Sequence, residues 1–183
     1  MATELDTEKA IEILLYIAPK MGNNLYNSLK IIYLSDKNHL AETGSFMYGE
    51  TYSALDFGPV PSFAYDVAKV GTGRKCLDKT RVTNTQNFDG SFDYDKGTNK
   101  LLIPLREADL DYLSQSDIDA IDAALESHEH RGFEGLKSLT HDDAYHATNR
   151  NRPISIQAIA ATTDVAAELV QHLESEHVDS YTE

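Results

Sequence analysis

Apolar residues recur at steps of three and four near the start of the chain. Ala10, Ile13, Leu14, Ile17, Ala18 and Met21 fall on one face, and the spacing predicts a helix from about Asp6 to Lys20. Asp6 or Thr7 can accept the free amide hydrogens at its start, and Gly22 suits the left-handed turn after its end. Leu25, Leu29, Ile32, Tyr33, Asp36 and Leu40 share a face of a second helix, from about Leu25 to Glu42, with Gly44 beyond it. So short a break between them predicts an antiparallel helical hairpin.

The period then changes. Phe46, Tyr48, Tyr52 and Leu55 are too unevenly spaced for a helix, so a short strand and a turn are expected up to Pro59. Gly58-Pro59-Val60-Pro61 reads as a rigid corner, because proline fixes its own backbone and holds the preceding residue extended. A helix follows from Ser62 to Val70. Residues 72–105 read as strand and turn, with a hairpin about Asp95-Lys96-Gly97. Ser114 or Ser116 caps the next helix, with Asp117 or Asp119 three residues on in a capping-box arrangement. Ile118, Ile121, Ala124 and Leu125 form its buried face. Short helices are expected at Phe133–Leu139 and after Thr140, and a last one from about Asp164 to His177. The pattern predicts a single, mostly α-helical α+β domain over 1–183 with a small antiparallel β-sheet or hairpin.

Composition narrows the class. The chain has 183 residues, 41% hydrophobic and 25% charged, ordinary for a globular domain. A lone cysteine, Cys76, excludes an intrachain disulfide and suits a reducing cytoplasm. No apolar run is long enough to span a bilayer, and the acidic start lacks the basic-then-apolar pattern of a secretory signal. A cytoplasmic protein without membrane contact is expected. Sixteen Lys and Arg face thirty Asp and Glu, a net charge of −14, which opposes direct binding to nucleic-acid phosphates. Residues 111–183 hold four bases and fifteen acids. Lys69, Arg74, Lys75, Lys79 and Arg81 form a local basic run. Opposed potentials of this kind steer and select charged protein partners, although solubility alone also favours an acidic surface.

Candidate chemistry is sparse. His128 and His130 lie two apart and His141 and His146 five apart, spacings that point to different sides of a helix, so no metal is expected. Cys76 has basic neighbours but no marked base. Gly71-Thr72-Gly73-Arg74-Lys75 lacks the spacing of a phosphate loop and reads as a helix cap and a basic turn. The aromatics say more: Phe46, Tyr48, Tyr52, Phe57, Phe63 and Tyr65 crowd into twenty residues. Each ring can serve the core, and the segment as a whole can serve a protein interface. Tyr48, Tyr52, Phe57, Lys69, Arg74 and Lys75 are therefore the candidate partner-binding residues.

Two blocks carry a resemblance. Lys30-Ile31-Ile32-Tyr33-Leu34-Ser35-Asp36 is followed by Gly49-Glu50-Thr51-Tyr52-Ser53-Ala54-Leu55-Asp56-Phe57-Gly58-Pro59-Val60-Pro61. Together they resemble the Panacea, or SocA-like antitoxin, domain, whose pattern is "YL-x-D", then "G-x-x-Y-x-A", then "YGPVP" leading into a helix. Phe57 stands where that tyrosine is usual. Leu139-Thr140-His141 with Ala144-Tyr145 is similar to its "LTH…AW" element, with Tyr145 in the tryptophan position. The resemblance spans about residues 8–150 and leaves 151–183 as a helical extension. It marks Tyr33, Asp36, Gly49, Gly58, Pro59, Pro61 and His141 as structural positions. It implies an antitoxin that neutralises a protein toxin encoded nearby by direct contact, with no catalytic residues and no cofactor. A second reading is an adaptor that hands the toxin to a cytoplasmic AAA+ protease. A third is a metal- or carboxylate-dependent enzyme with Asp36, His39 and His141 in one pocket. Asp36, lying in an apolar stripe, is expected to accept hydrogen bonds from the 49–61 segment, because an unpaired buried carboxylate is costly.

Overall fold

The computed structural model describes residues 6–74, 82, 90–93, 95, 97, 101–128 and 130–179. Helix α1 covers Thr7–Ile17, and the Asp6 carboxylate accepts the Lys9 amide at its start. Pro19, which has no amide hydrogen to continue the ladder, opens a single 3-10 turn over Pro19–Met21. Helix α2 covers Leu25–Thr43, with Asn24 accepting the Asn27 amide and Gly44 closing it at φ +79°. The expected α1–α2 hairpin does not form as a tight pair. Helix α2 packs chiefly on helix α4 (Gln115–His128), and α1 packs chiefly on helix α3 (Ser62–Gly71). The reason lies in α2 itself, which is buried on several sides and so serves as the central element of the core.

Strand β1 (Tyr52–Leu55) and strand β2 (Gly58–Pro61) form a hairpin with Leu55 opposite Gly58 and Tyr52 opposite Pro61. Gly58–Pro61 is thus a strand rather than a corner, and the tight turn is made by Asp56 and Phe57. Its prolines are tolerated because β2 is an edge strand in the order β2–β1–β5. Strands β3 (Phe92–Asp93) and β4 (Ile103–Pro104) form a separate antiparallel pair. In α4 the anticipated capping box is present: the Ser114 amide donates to Asp117, and the Asp117 amide donates back to Ser114 Oγ at 3.2 Å. Helices α5 (Phe133–Thr140) and α6 (Asp143–His146) follow. The sequence pattern passes over strand β5 (Pro153–Ile154), which pairs with β1 with Ile154 opposite Tyr52, and over helix α7 (Ile156–Ala160). Helix α8 (Ala166–Asp179) packs on α7. The architecture is a mostly helical α+β fold with eight helices among the described residues.

Candidate functional site

A buried helix cannot carry polar side chains without giving them partners. Helix α2 buries Ser28, Lys30, Ser35, Asp36 and His39. The two serines bond to their own helix, Ser28 Oγ to the Asn24 carbonyl and Ser35 Oγ to the Ile31 carbonyl. The other three reach outward, and they do so toward different neighbours.

Asp36 is fully buried. Its Oδ1 accepts the Met47 amide at 2.9 Å and its Oδ2 accepts the Tyr52 hydroxyl at 2.6 Å. Burial pushes its carboxyl up to about 7, against the opposing pull of those two bonds. Beside it, Glu50 works as a remote cap. It accepts the Phe63 and Ala64 amides at 2.8 and 2.9 Å, the Thr51 amide, and the Tyr48 hydroxyl at 2.9 Å. Pro61, the residue at the cap position of α3, offers no side-chain bond of its own, so Glu50 fills the role from the loop before β1. Burial raises the Glu50 carboxyl, and the same four bonds oppose the rise. The Tyr52 ring stands edge-on to Tyr33 at 5.0 Å and to Phe46 at 5.5 Å. The Tyr33 hydroxyl donates to Asp142 Oδ2 at 2.8 Å, where Lys37 also donates, and Asp142 Oδ1 caps α6 through the Tyr145 amide. Every polar end of this inner frame is spoken for.

The opposite end of the hairpin differs. Lys30 is 3% exposed, and its ammonium donates to the Pro59 carbonyl at 2.9 Å. Gly58 sits at φ +102°, and a Cβ there would lie 2.7 Å from Lys30 Nζ and 3.1 Å from His141 Nε2. Glycine is required at 58 on both counts, conformation and space. Burial, with Lys137 nearby, pushes the Lys30 amine down to about 7. The His141 ring is hydrogen-bonded to the Phe57 backbone and lies 4.2 Å from the Tyr145 ring. Its Nε2 is buried without a hydrogen-bond partner among the described residues. Burial holds this imidazole below the usual histidine range.

A groove of about 290 Å³ opens beside this turn, lined by Tyr26, Leu29, Lys30, Phe57, Val60 and Tyr65 among others. The Phe57 ring is 54% exposed, edge-on to Phe133 at 5.9 Å, with Lys137 Nζ 5.6 Å from its centre. Lys69 lies over the Tyr65 ring at 3.7 Å and pairs with Asp66, and Arg74 acts on the same tyrosine.

Of the six candidate partner-binding residues, Phe57 lines the groove, and Lys69 and Arg74 lie beside its Tyr65 wall. Tyr48 and Tyr52 do not join them: both are buried, 3% and 1% exposed, because their hydroxyls serve Glu50 and Asp36. The aromatic segment thus divides between core and surface, with Tyr48 and Tyr52 inside and Phe57 exposed. Lys75, Lys79, Arg81 and Cys76 lie outside the described residues. Asp36, His39 and His141 do not share a pocket. His39 faces the Ser45 carbonyl at 2.7 Å and Ser116 and Asp117 of α4, Asp36 faces Met47 and Tyr52, and His141 faces the turn. Among the described residues no group of three histidine, cysteine or acidic side chains forms a metal site, and no helix is long and apolar enough to cross a membrane. Lys30 and Glu50 were not singled out by sequence reasoning. The usable signal for Lys30 was a cation set in the run Leu29-Lys30-Ile31-Ile32, which α2 had to bury.

A family model described as antitoxin SocA-like, Panacea domain, matches residues 29–146. That span runs from α2 through α6 and includes both the Asp36–Glu50 frame and the Lys30–Gly58–His141 turn. The chain belongs to the SocA-like antitoxin family, and its role falls within toxin–antitoxin biology in general. No curated protein and no solved structure matches it.

Proposed function

We propose that this protein is an antitoxin that neutralises a protein toxin encoded beside it by direct, stoichiometric binding in the cytoplasm, and that the groove beside Phe57 is the face that binds. Family membership supports the antitoxin role. The observation that carries the choice of face is Phe57, a large ring left half in water at a tight turn and backed by Phe133. A rigid hairpin presents such a ring with little ordering cost on binding, and an aromatic anchor beside a groove is the usual energetic centre of a protein interface. Lys137 beside Phe57, with Lys69 and Arg74 beside Tyr65, sets cations along the groove of a chain of net charge −14, which suits an acidic patch on the partner.

The test mixes the purified chain with the product of the neighbouring reading frame, without ATP or protease, and measures toxin activity. Loss of toxin activity at one equivalent is the expected result, and Phe57→Ala is expected to weaken binding more than ten-fold with an unchanged melting temperature. Undiminished toxin activity in excess antitoxin, with rescue in cells that depends on an AAA+ protease, would replace occupation by the adaptor reading.

A further inference from the structure

The turn holds two buried nitrogens whose hydrogen-bonding capacity is not filled. An ammonium carries three donors. Among the described residues, the acceptor of Lys30 is one neutral carbonyl, that of Pro59. His141 Nε2 has none. Both nitrogens pack against the Cα of Gly58, about 3 Å from where a Cβ would stand, and Lys30 also lines the groove. A buried cation is stable when a compensating charge comes within reach.

Asp56, Asp142 and Glu134 are engaged elsewhere, Glu134 with Lys137. Asp56 is held by both Arg150 Nε and Nη2 at 2.5 Å. Asp142 accepts from Tyr33, Lys37 and Tyr145. The local field is positive, with Lys137 acting on both Lys30 and His141. The walls are apolar, with Phe57, Leu29 and Val60 along the groove.

We infer that the Lys30–His141 pair beside Gly58 is a receptor for a carboxylate, supplied by an aspartate or glutamate side chain of the bound protein partner whose apolar stem lies along Phe57. The inference deepens the antitoxin reading and rests on it for the identity of the partner. A protein carboxylate fits better than a nucleic-acid phosphate, because the chain's net charge of −14 repels a phosphate backbone at long range. In the complex, Lys30 donates to one carboxylate oxygen and the protonated Nε2 of His141 to the other, so both nitrogens gain the partner they lack in the free protein.

The test has two arms. In the first, the Lys30 Cε–H resonance of the wild-type chain is followed by NMR during titration with N-acetyl-glutamate, N-acetyl-glutamine and inorganic phosphate. A saturable shift with N-acetyl-glutamate alone is the expected result. A shift with phosphate and none with N-acetyl-glutamate overturns the carboxylate assignment in favour of a phosphate site, and no shift with any probe overturns the site. In the second arm, affinity for the product of the neighbouring reading frame is measured for wild type and Lys30→Met. The expected loss is ten-fold or more, with one toxin carboxylate whose removal costs affinity in wild type and nothing further in the variant. A folded Lys30→Met chain that binds as wild type does overturns the inference. A wild-type chain that does not bind this protein overturns the antitoxin reading instead, and the first arm then decides the carboxylate site by itself.

Discussion

The two ends of the β1–β2 hairpin bury the same kinds of group and treat them in opposite ways. At the Tyr52 end, Asp36 and Glu50 together accept four backbone amides and two tyrosine hydroxyls. At the Phe57 end, Lys30 has one carbonyl and His141 Nε2 has no partner. A fully served polar network fixes a single arrangement of the chain, whereas a half-served one leaves interaction energy to be gained from outside. The first end is where the fold is held, and the second is the face proposed above for a partner. The difference can be broken at either end, and the outcomes should diverge.

The largest effect is expected at Glu50. Replacing it with alanine strands the amides of Thr51, Phe63 and Ala64 and the Tyr48 hydroxyl. Buried donors left without acceptors cost about 1–3 kcal/mol each, and local rearrangement will recover part of that. Glu50→Ala should lose about 3–5 kcal/mol in urea unfolding, enough to threaten folding in a domain of ordinary stability. A loss below about 1 kcal/mol would show that water reaches the start of α3 and that the inner frame is not closed.

Asp36 should come next. Asp36→Ala removes the acceptor of the Met47 amide and the Tyr52 hydroxyl and is expected to cost about 2–4 kcal/mol. Tyr52→Phe leaves the carboxylate one bond short and should cost about 1–2 kcal/mol. The two losses should not add in a double-mutant cycle, since the residues share one bond. Additive losses would mean that the 2.6 Å contact contributes nothing to stability.

How much of this was legible in the sequence depends on whether a signal was local. Helix α2 and its Gly44 exit follow from periodicity and capping chemistry. The need of Asp36 for donors follows from a carboxylate in an apolar stripe. The segment supplying the Tyr52 hydroxyl was legible from the same argument. Glu50 was not, because its partners lie thirteen and fourteen residues away across a hairpin. Strand β5 was missed because two paired residues, Pro153 and Ile154, are too few to show a period. The burial of Tyr48 and Tyr52 was illegible for a related reason: an aromatic cluster looks the same in sequence whether its hydroxyls face water or buried carboxylates.

The inner end also carries a pH signature. The Asp36 carboxyl moves from an ordinary 3.8 to about 7 in the folded protein. The folded state therefore holds a proton that the unfolded chain gives up, so this group's contribution to stability is complete below about pH 4 and is lost as pH rises through 7. Glu50, Asp117, Tyr48 and Tyr52 face the same carboxyl. Relative to Asp36→Asn, which cannot titrate, wild type should lose roughly 1 kcal/mol or more between pH 5 and 8. Parallel curves for the two proteins would show that Asp36 does not titrate in this range.

The smallest effect on stability is expected at Lys30, and its sign separates the two ends most sharply. Lys30→Met gives up one bond to the Pro59 carbonyl and removes a desolvated amine, two changes that oppose each other, so at pH 9 the net should stay within about 1 kcal/mol of wild type. The amine falls from an ordinary 10.5 to about 7 on folding. Its folded value is depressed, so the unfolded chain binds the proton more tightly, and the contribution is present above pH 10.5 and lost as pH falls through 7. His141, which closes α5 and acts on the same amine, gains positive charge as pH falls and so acts in the same direction. Lys30→Met should therefore gain on wild type as pH drops from 9 to 6, read as a widening difference in melting temperature. If the variant instead loses several kcal/mol at every pH, Lys30 is a structural tie to β2 on a par with Asp36, and the contrast between the two ends of the hairpin disappears.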